Sequence, residues 1–146
     1  MKGQIPMKVV IDTNVLVSSL SQKSQYHWLI QMLLNEKFDL HVTDKILLEY
    51  EEILNQKYSY SVANNFIAAL KELPNVYFTQ IYFYWNLLDD VDDNKFVDCA
   101  IAANANYLVT HDKDFNQLRN TDFPKINIVS IPEFSKIIEA DQGQHE

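Results

Sequence analysis

Residues 89–115, DDVDDNKFVDCAIAANANYLVTHDKDF, decide how this chain folds. Phe96, Val97, Ala100 and Ile101 recur with i, i+1, i+4, i+5 spacing, the apolar stripe of an amphipathic helix. Residues 107–110 (YLVT) follow as a β-prone run of strand length, and Asp112 comes just after it. Carboxylates therefore stand at the start of a helix and just past the C-terminal end of a strand. In an open parallel sheet that end of the strands is where ligands and catalytic groups gather.

Upstream, residues 8–11 (KVVI) form a continuous β-branched run, the pattern of a central strand buried on both faces. This run also ends in an acid, in Asp12-Thr13-Asn14. The triplet suits a helix N-cap. The apolar VLVSSL follows at once, however, so Asp12 is hemmed in close to the core. Residues 25–35 read as an apolar helix and 38–42 as a short strand. Thr43-Asp44 caps a helix whose stripe is Ile46, Leu47, Tyr50, Ile53 and Leu54. Residues 60–73 form a third amphipathic helix ended by Pro74, and 76–79 a strand. The aromatic run 81–88 (IYFYWNLL) fits either a strand or irregular packing. Its rings read as core or dimer surface rather than a base-stacking platform, because no basic residue is interleaved with them.

Downstream of Asp112 the pattern predicts a short helix near 115–118 and a last strand over 126–131. A closing helix to Ile138 has Pro132 in its first position. Strands alternating with helices give an α/β fold, a three-layer α/β/α arrangement with a central parallel sheet of four to five strands. A single domain is expected over residues 1–146, with its core at about 8–138 and flexible ends at 1–6 and 140–146.

Composition narrows the function. The chain has 146 residues, and both of its glycines, Gly3 and Gly143, lie near the ends. A P-loop or dinucleotide fingerprint needs glycine where backbone approaches phosphate, so both are excluded. The lone Cys99 rules out an internal disulfide framework and fits a reducing compartment. No apolar run reaches the roughly 20 residues of a membrane span. With no signal-peptide pattern at the N-terminus, a cytoplasmic protein is expected. A net charge of −8 argues against a protein that coats nucleic acid electrostatically, but not against acids gathered around metal ions.

Wheel geometry sorts the acids. Asp93 precedes Phe96 and Val97 by three and four residues, so it shares their inward azimuth. Asp92 and Asp98 point more than about 100° away from that stripe. Glu49 and Glu51 flank their own stripe about equally, and periodicity leaves the two tied. Acids from a strand end, a middle helix, a later helix start and another strand end suggest Mg²⁺ or Mn²⁺ chemistry. The four histidines lack zinc spacing, and His111 reads as a local orienting group.

DTNVLVS after the first strand, ILLEYEEIL on a helix and DDNKFVDCAIAANANYLVTHDKDF, in that order, resemble the PIN-domain family. The likeness is to its prokaryotic toxin components of toxin–antitoxin systems, related to VapC, and covers residue 8 to about 138. The resemblance implies a Mg²⁺- or Mn²⁺-dependent endoribonuclease, commonly a homodimer, acting on RNA and held inactive by an antitoxin protein. It carries the four catalytic and metal-binding acids onto Asp12, Glu49, Asp93 and Asp112, with Glu49 preferred to Glu51. The third takes a one-residue shift, since the spacing in VapC-like chains falls nearest Asn94. Asn14 and Thr110 match the family's polar supports, and Asp98 and Asp114 stand where related chains can be acidic. Two other readings remain. One is a PIN-like scaffold that binds RNA or protein without cutting. The other is a phosphatase or receiver domain, which would want an acid at Asn14 or a lysine after the last strand.

Overall fold

The computed structural model describes residues 6–144, with side chains as far as residue 141. All five expected strands form: β1 (Lys8–Ile11), β2 (Asp39–Val42), β3 (Val76–Phe78), β4 (Tyr107–Val109) and β5 (Ile128–Val129). They make one parallel sheet in the order β3-β2-β1-β4-β5, with helices on both sides. β1 lies at its centre because KVVI is apolar on both faces; Val9, Val10 and Ile11 are fully buried.

The helices are α1 (Thr13–Ser19), α2 (His27–Leu34), α3 (Asp44–Lys57), α4 (Tyr60–Glu72), α5 (Asn94–Ala102) and α6 (Ile131–Gln144). Short polar side chains start three of them. Thr43 accepts the Ile46 N–H, and Ser59 accepts that of Val62. Ser130 and Glu133 exchange side-chain-to-backbone bonds in a capping box. That box sets the start of α6 at Ile131, so Pro132 stands second in the helix rather than first. α6 also runs beyond Ile138 to Gln144, further than its apolar pattern predicts. Residues 1–5 and 145–146, parts of the ends expected to be flexible, lie outside the described residues. With no glycine in the body of the chain, Glu36 and Asn104 take the left-handed conformation just after α2 and α5.

Two predicted elements differ in kind. The short helix after Asp112 is a longer 3₁₀ segment, Lys113–Asn120, and β5 is confined to two residues at the sheet edge. The aromatic run 81–88 has no regular structure. Leu88 alone in it is fully buried, while Tyr82, Phe83 and Tyr84 are largely exposed. Among the described residues no helix is long and apolar enough to cross a membrane.

The order of the strands places the site. The chain builds outward from β1 through β2 to β3, then crosses back to lay β4 on the other side of β1. β1 and β4 are paired in register to their last residues, Ile11 beside Val109. Their C-terminal ends thus flank the point where the winding reverses, and the loops there diverge to leave a crevice.

Candidate active site

Asp12 leaves the end of β1 and Thr110 the end of β4, and a single hydroxyl joins the two. Thr110 Oγ1 donates to Asp12 Oδ2 at 2.7 Å and accepts the Asp112 N–H at 3.0 Å. Asp12 is 7 % exposed. Burial raises its pKa, and the facing Glu49 and Asp112 carboxylates add to the rise, against the Thr110 hydrogen bond. Asp112 turns the chain into the 3₁₀ segment and accepts the Asp114 N–H at 2.9 Å.

Glu49 comes in from α3. The adjacent Tyr50 is fully buried, and its hydroxyl donates to the Ile11 carbonyl at 2.5 Å. That bond pins α3 to the end of β1, one residue before Asp12. Glu49 Oε2 accepts the Thr13 hydroxyl, and Oε1 is paired with Lys95 Nζ at 2.6 Å. Among the described residues Glu51 takes no part in these contacts; of the two, Glu49 is the one that meets α1 and α5.

Asp93 sits immediately before α5, half-buried, and faces inward as its azimuth predicts. Its Oδ2 is buried with no hydrogen-bond partner. Burial, then the carboxylates of Asp90, Asp112, Asp12 and Asp114, push its pKa up to about 7. Oxygens of Asp90, Asp93 and Asp114 lie within 4.8 Å of one another. Asp93 therefore joins Asp90 and Asp114 in one close group and also feels the charges of Asp12 and Asp112. A carboxylate oxygen out of water, without a donor and facing other carboxylates, suits a divalent cation. Asp90, Asp93 and Asp114 bring their oxygens close enough together to hold one, while Asp12 and Asp112 act on Asp93 through their charge.

The remaining candidates divide. Asn94 lies against the backbone: its amide accepts the Leu88 N–H at 2.9 Å and donates to the Leu88 carbonyl at 3.0 Å. That use turns the Asn94 amide to the backbone of Leu88. Asp98 is 4 % exposed and accepts the Trp85 N–H at 3.0 Å. It is buried although its azimuth lies away from the apolar stripe, because the 81–88 run folds over that flank. Asp98 thus holds a loop, and it also lines the groove beside Glu49. Asn14 is exposed on the first turn of α1. His111 accepts the Ile131 N–H on Nε2 at 3.1 Å, a local orienting role as expected.

The sequence did not single out Asp90, Thr13 or Lys95. Asp90 belonged to a run of acids that its own helix stripe does not sort, and the lysines are scattered singly along the chain. The contacts that give them meaning come from elements distant along the chain. Beside the acids runs a groove of about 790 Å³, bordered by Lys45, Leu48 and Glu49 of α3, Phe78, Tyr84 and Lys95.

A family model described as PIN domain matches residues 8–114. Several solved structures share the fold. VapBC2 from Rickettsia felis, bound to a DNA fragment from its promoter, aligns with a TM-score of 0.60 at 17 % identity, over 85 % of this chain and 98 % of that one. Mycobacterium tuberculosis VapC20, a toxin that cleaves the sarcin–ricin loop, aligns with a TM-score of 0.57 at 14 % identity, over 75 % and 93 %. The PIN-domain endonuclease Utp24 aligns with a TM-score of 0.52 at 24 % identity, over 86 % and 85 %. No curated protein matches the sequence significantly.

Proposed function

This chain belongs to the PIN-domain family, and from that premise we propose that it is a metal-dependent endoribonuclease, the toxin of a toxin–antitoxin pair. The observation that carries this reading is the buried, unpartnered Asp93 Oδ2 among the carboxylates of Asp12, Asp112, Asp90 and Asp114. Such an arrangement is costly for the protein alone and becomes favourable around a cation.

In this reading Asp12, Asp93 and Asp112 hold Mg²⁺ or Mn²⁺, ions that favour carboxylate oxygen, and Glu49 completes the set. Once bound, the ion supplies an activated water and a counter-charge for the leaving oxygen of a phosphodiester. The chain's own groups prepare that chemistry. Thr110 fixes the rotamer of Asp12 and the turn that presents Asp112. Thr13 and Lys95 fix Glu49. Asn14 and Asp114 are supporting polar groups at the rim. RNA enters along the groove beside Glu49, where Lys45 meets phosphates. An antitoxin protein covers the same crevice in the resting complex, and the active species is a homodimer in the cytoplasm.

The test is cleavage of a structured RNA pool by purified protein with Mn²⁺, Mg²⁺ or EDTA. Cutting that needs the metal and disappears in Asp12→Asn is expected. A folded native protein that binds Mn²⁺ yet cuts nothing would instead identify a binding scaffold.

A further inference from the structure

Glu49 differs from the other acids of the site in having a cation of its own. Lys95 Nζ lies 2.6 Å from Glu49 Oε1, and the Lys95 side chain is only 15 % exposed. The ammonium also lies 5.6 Å from the centroid of the Phe96 ring. With the Thr13 hydroxyl on Oε2, both oxygens of Glu49 are engaged by the chain itself. Among the described residues no other lysine or arginine is paired with an acid of the site. Asp12 is met by a neutral hydroxyl, and Asp93 Oδ2 by nothing.

This asymmetry has a consequence for how many ions the site can take. The Lys95 ammonium already compensates the charge of Glu49, and the Thr13 hydroxyl occupies its other oxygen. A divalent ion at Glu49 would set a doubly charged neighbour against an ammonium already seated there. We propose that Lys95 is a positioning residue, a built-in counter-ion that holds Glu49 in place of a second divalent cation, so that the site works with one ion. The proposal rests on the carboxylate-nuclease reading above and deepens it. Removing a unit positive charge a few Å from a cation is worth roughly tenfold or more in affinity, even with near-aqueous screening.

The test is calorimetric titration of Mn²⁺ into EDTA-stripped full-length protein, with free Mn²⁺ counted independently by its paramagnetic resonance signal. Native protein is expected to bind one ion. Lys95→Met should bind a second, at least roughly tenfold more tightly than any second ion in native protein. Lys95→Gln serves the same purpose should the methionine variant fold poorly. Lys95→Arg restores the cation and should restore one-ion binding, which a merely space-filling role for Lys95 would not require. The pair Lys95→Met with Glu49→Gln should also return to one ion. Two ions on native protein, or identical isotherms for native and Lys95→Met, would overturn the proposal. Loss of all Mn²⁺ uptake in native and Lys95→Met alike, indistinguishable from Asp12→Asn, would instead remove the metal site itself and the proposal with it.

Discussion

Two sides of the start of α5 treat their polar groups in opposite ways. On one side Asn94 and Asp98 are almost wholly buried and answered by backbone: Asn94 takes both polar groups of Leu88, and Asp98 takes the Trp85 N–H. On the other side Asp93, one residue earlier, turns an oxygen with no partner toward other carboxylates. A buried group left unpaired costs about 1–3 kcal/mol, whereas a satisfied one is roughly neutral or favourable. The first side is what holding a loop requires. The second fits the cation site proposed above.

The largest effects should come from the unsatisfied side. Asp12→Asn keeps the shape and the Thr110 contact but removes a charge from the centre of the cluster. We expect RNA cleavage to fall by about 100-fold or more, with native circular dichroism. Asp93→Asn should do the same, and should abolish calorimetric Mn²⁺ uptake at micromolar protein. Undiminished cleavage by either variant would break the comparison at its root.

The satisfied side should show the reverse pattern. Asn94→Ala strips two hydrogen bonds from the buried backbone of Leu88 and should cost about 2 kcal/mol in denaturant unfolding. Metal uptake by the folded fraction should persist. Equal stability of the native and Asn94→Ala proteins would show that the 81–88 run is held by its rings alone.

How much of this contrast could be read in advance depends on how local its causes are. β1 and β4 were legible because their β-branched runs and terminal acids are contiguous in sequence. Asp93 was legible because one helical turn fixes its azimuth relative to Phe96 and Val97. Asp98 was not, because a wheel measures only the stripe of its own helix, and the cover over its flank is a segment ten or more residues earlier. Glu49 and Glu51 were tied for the same reason; Thr13 and Lys95, which contact Glu49, come from α1 and α5. β5 was drawn too long because Ile126 is buried like a strand residue while only Ile128 and Val129 reach the ladder. The four-residue difference is strand pairing at one end and the start of α6 at the other, which hydropathy does not register.

Thr110 offers a finer cut, since its one hydroxyl serves both strand-end acids. Thr110→Val preserves volume and β-branching while deleting the donor to Asp12 and the acceptor for the Asp112 N–H. A support of this kind is worth about tenfold in metal affinity or activity. We expect that loss in cleavage at limiting Mn²⁺, with partial recovery at saturating ion, because the ligands remain and only their preset geometry is gone.

The smallest effect is on the metal-free protein and concerns pH. Burial and facing carboxylates hold the Asp93 pKa at about 7, above the ordinary value of 3.8. The native state therefore binds this proton more tightly than the unfolded chain does. Between about pH 4 and 7 the unfolded chain has already released the proton while the native state keeps it, so stability falls as pH rises through that window. Asp12, whose pKa is also raised, acts in the same direction. Glu133, whose pKa is lowered by Ser130 and Arg119, acts oppositely only below its ordinary value of 4.5, and His41, whose pKa burial lowers, acts oppositely below its ordinary value of 6.5. In EDTA, Tm should thus be higher at pH 5.5 than at pH 7.5, and Asp93→Asn should flatten the difference while raising Tm at the upper pH. Saturating Mn²⁺ should reverse the slope for the native protein, because ion binding needs the carboxylates ionised and competes with their protons. A metal-free Tm that climbed from pH 5.5 to 7.5 would mean that the carboxylates around Asp93 do not burden the fold, and the unsatisfied side of α5 would lose its claim to be waiting for a cation.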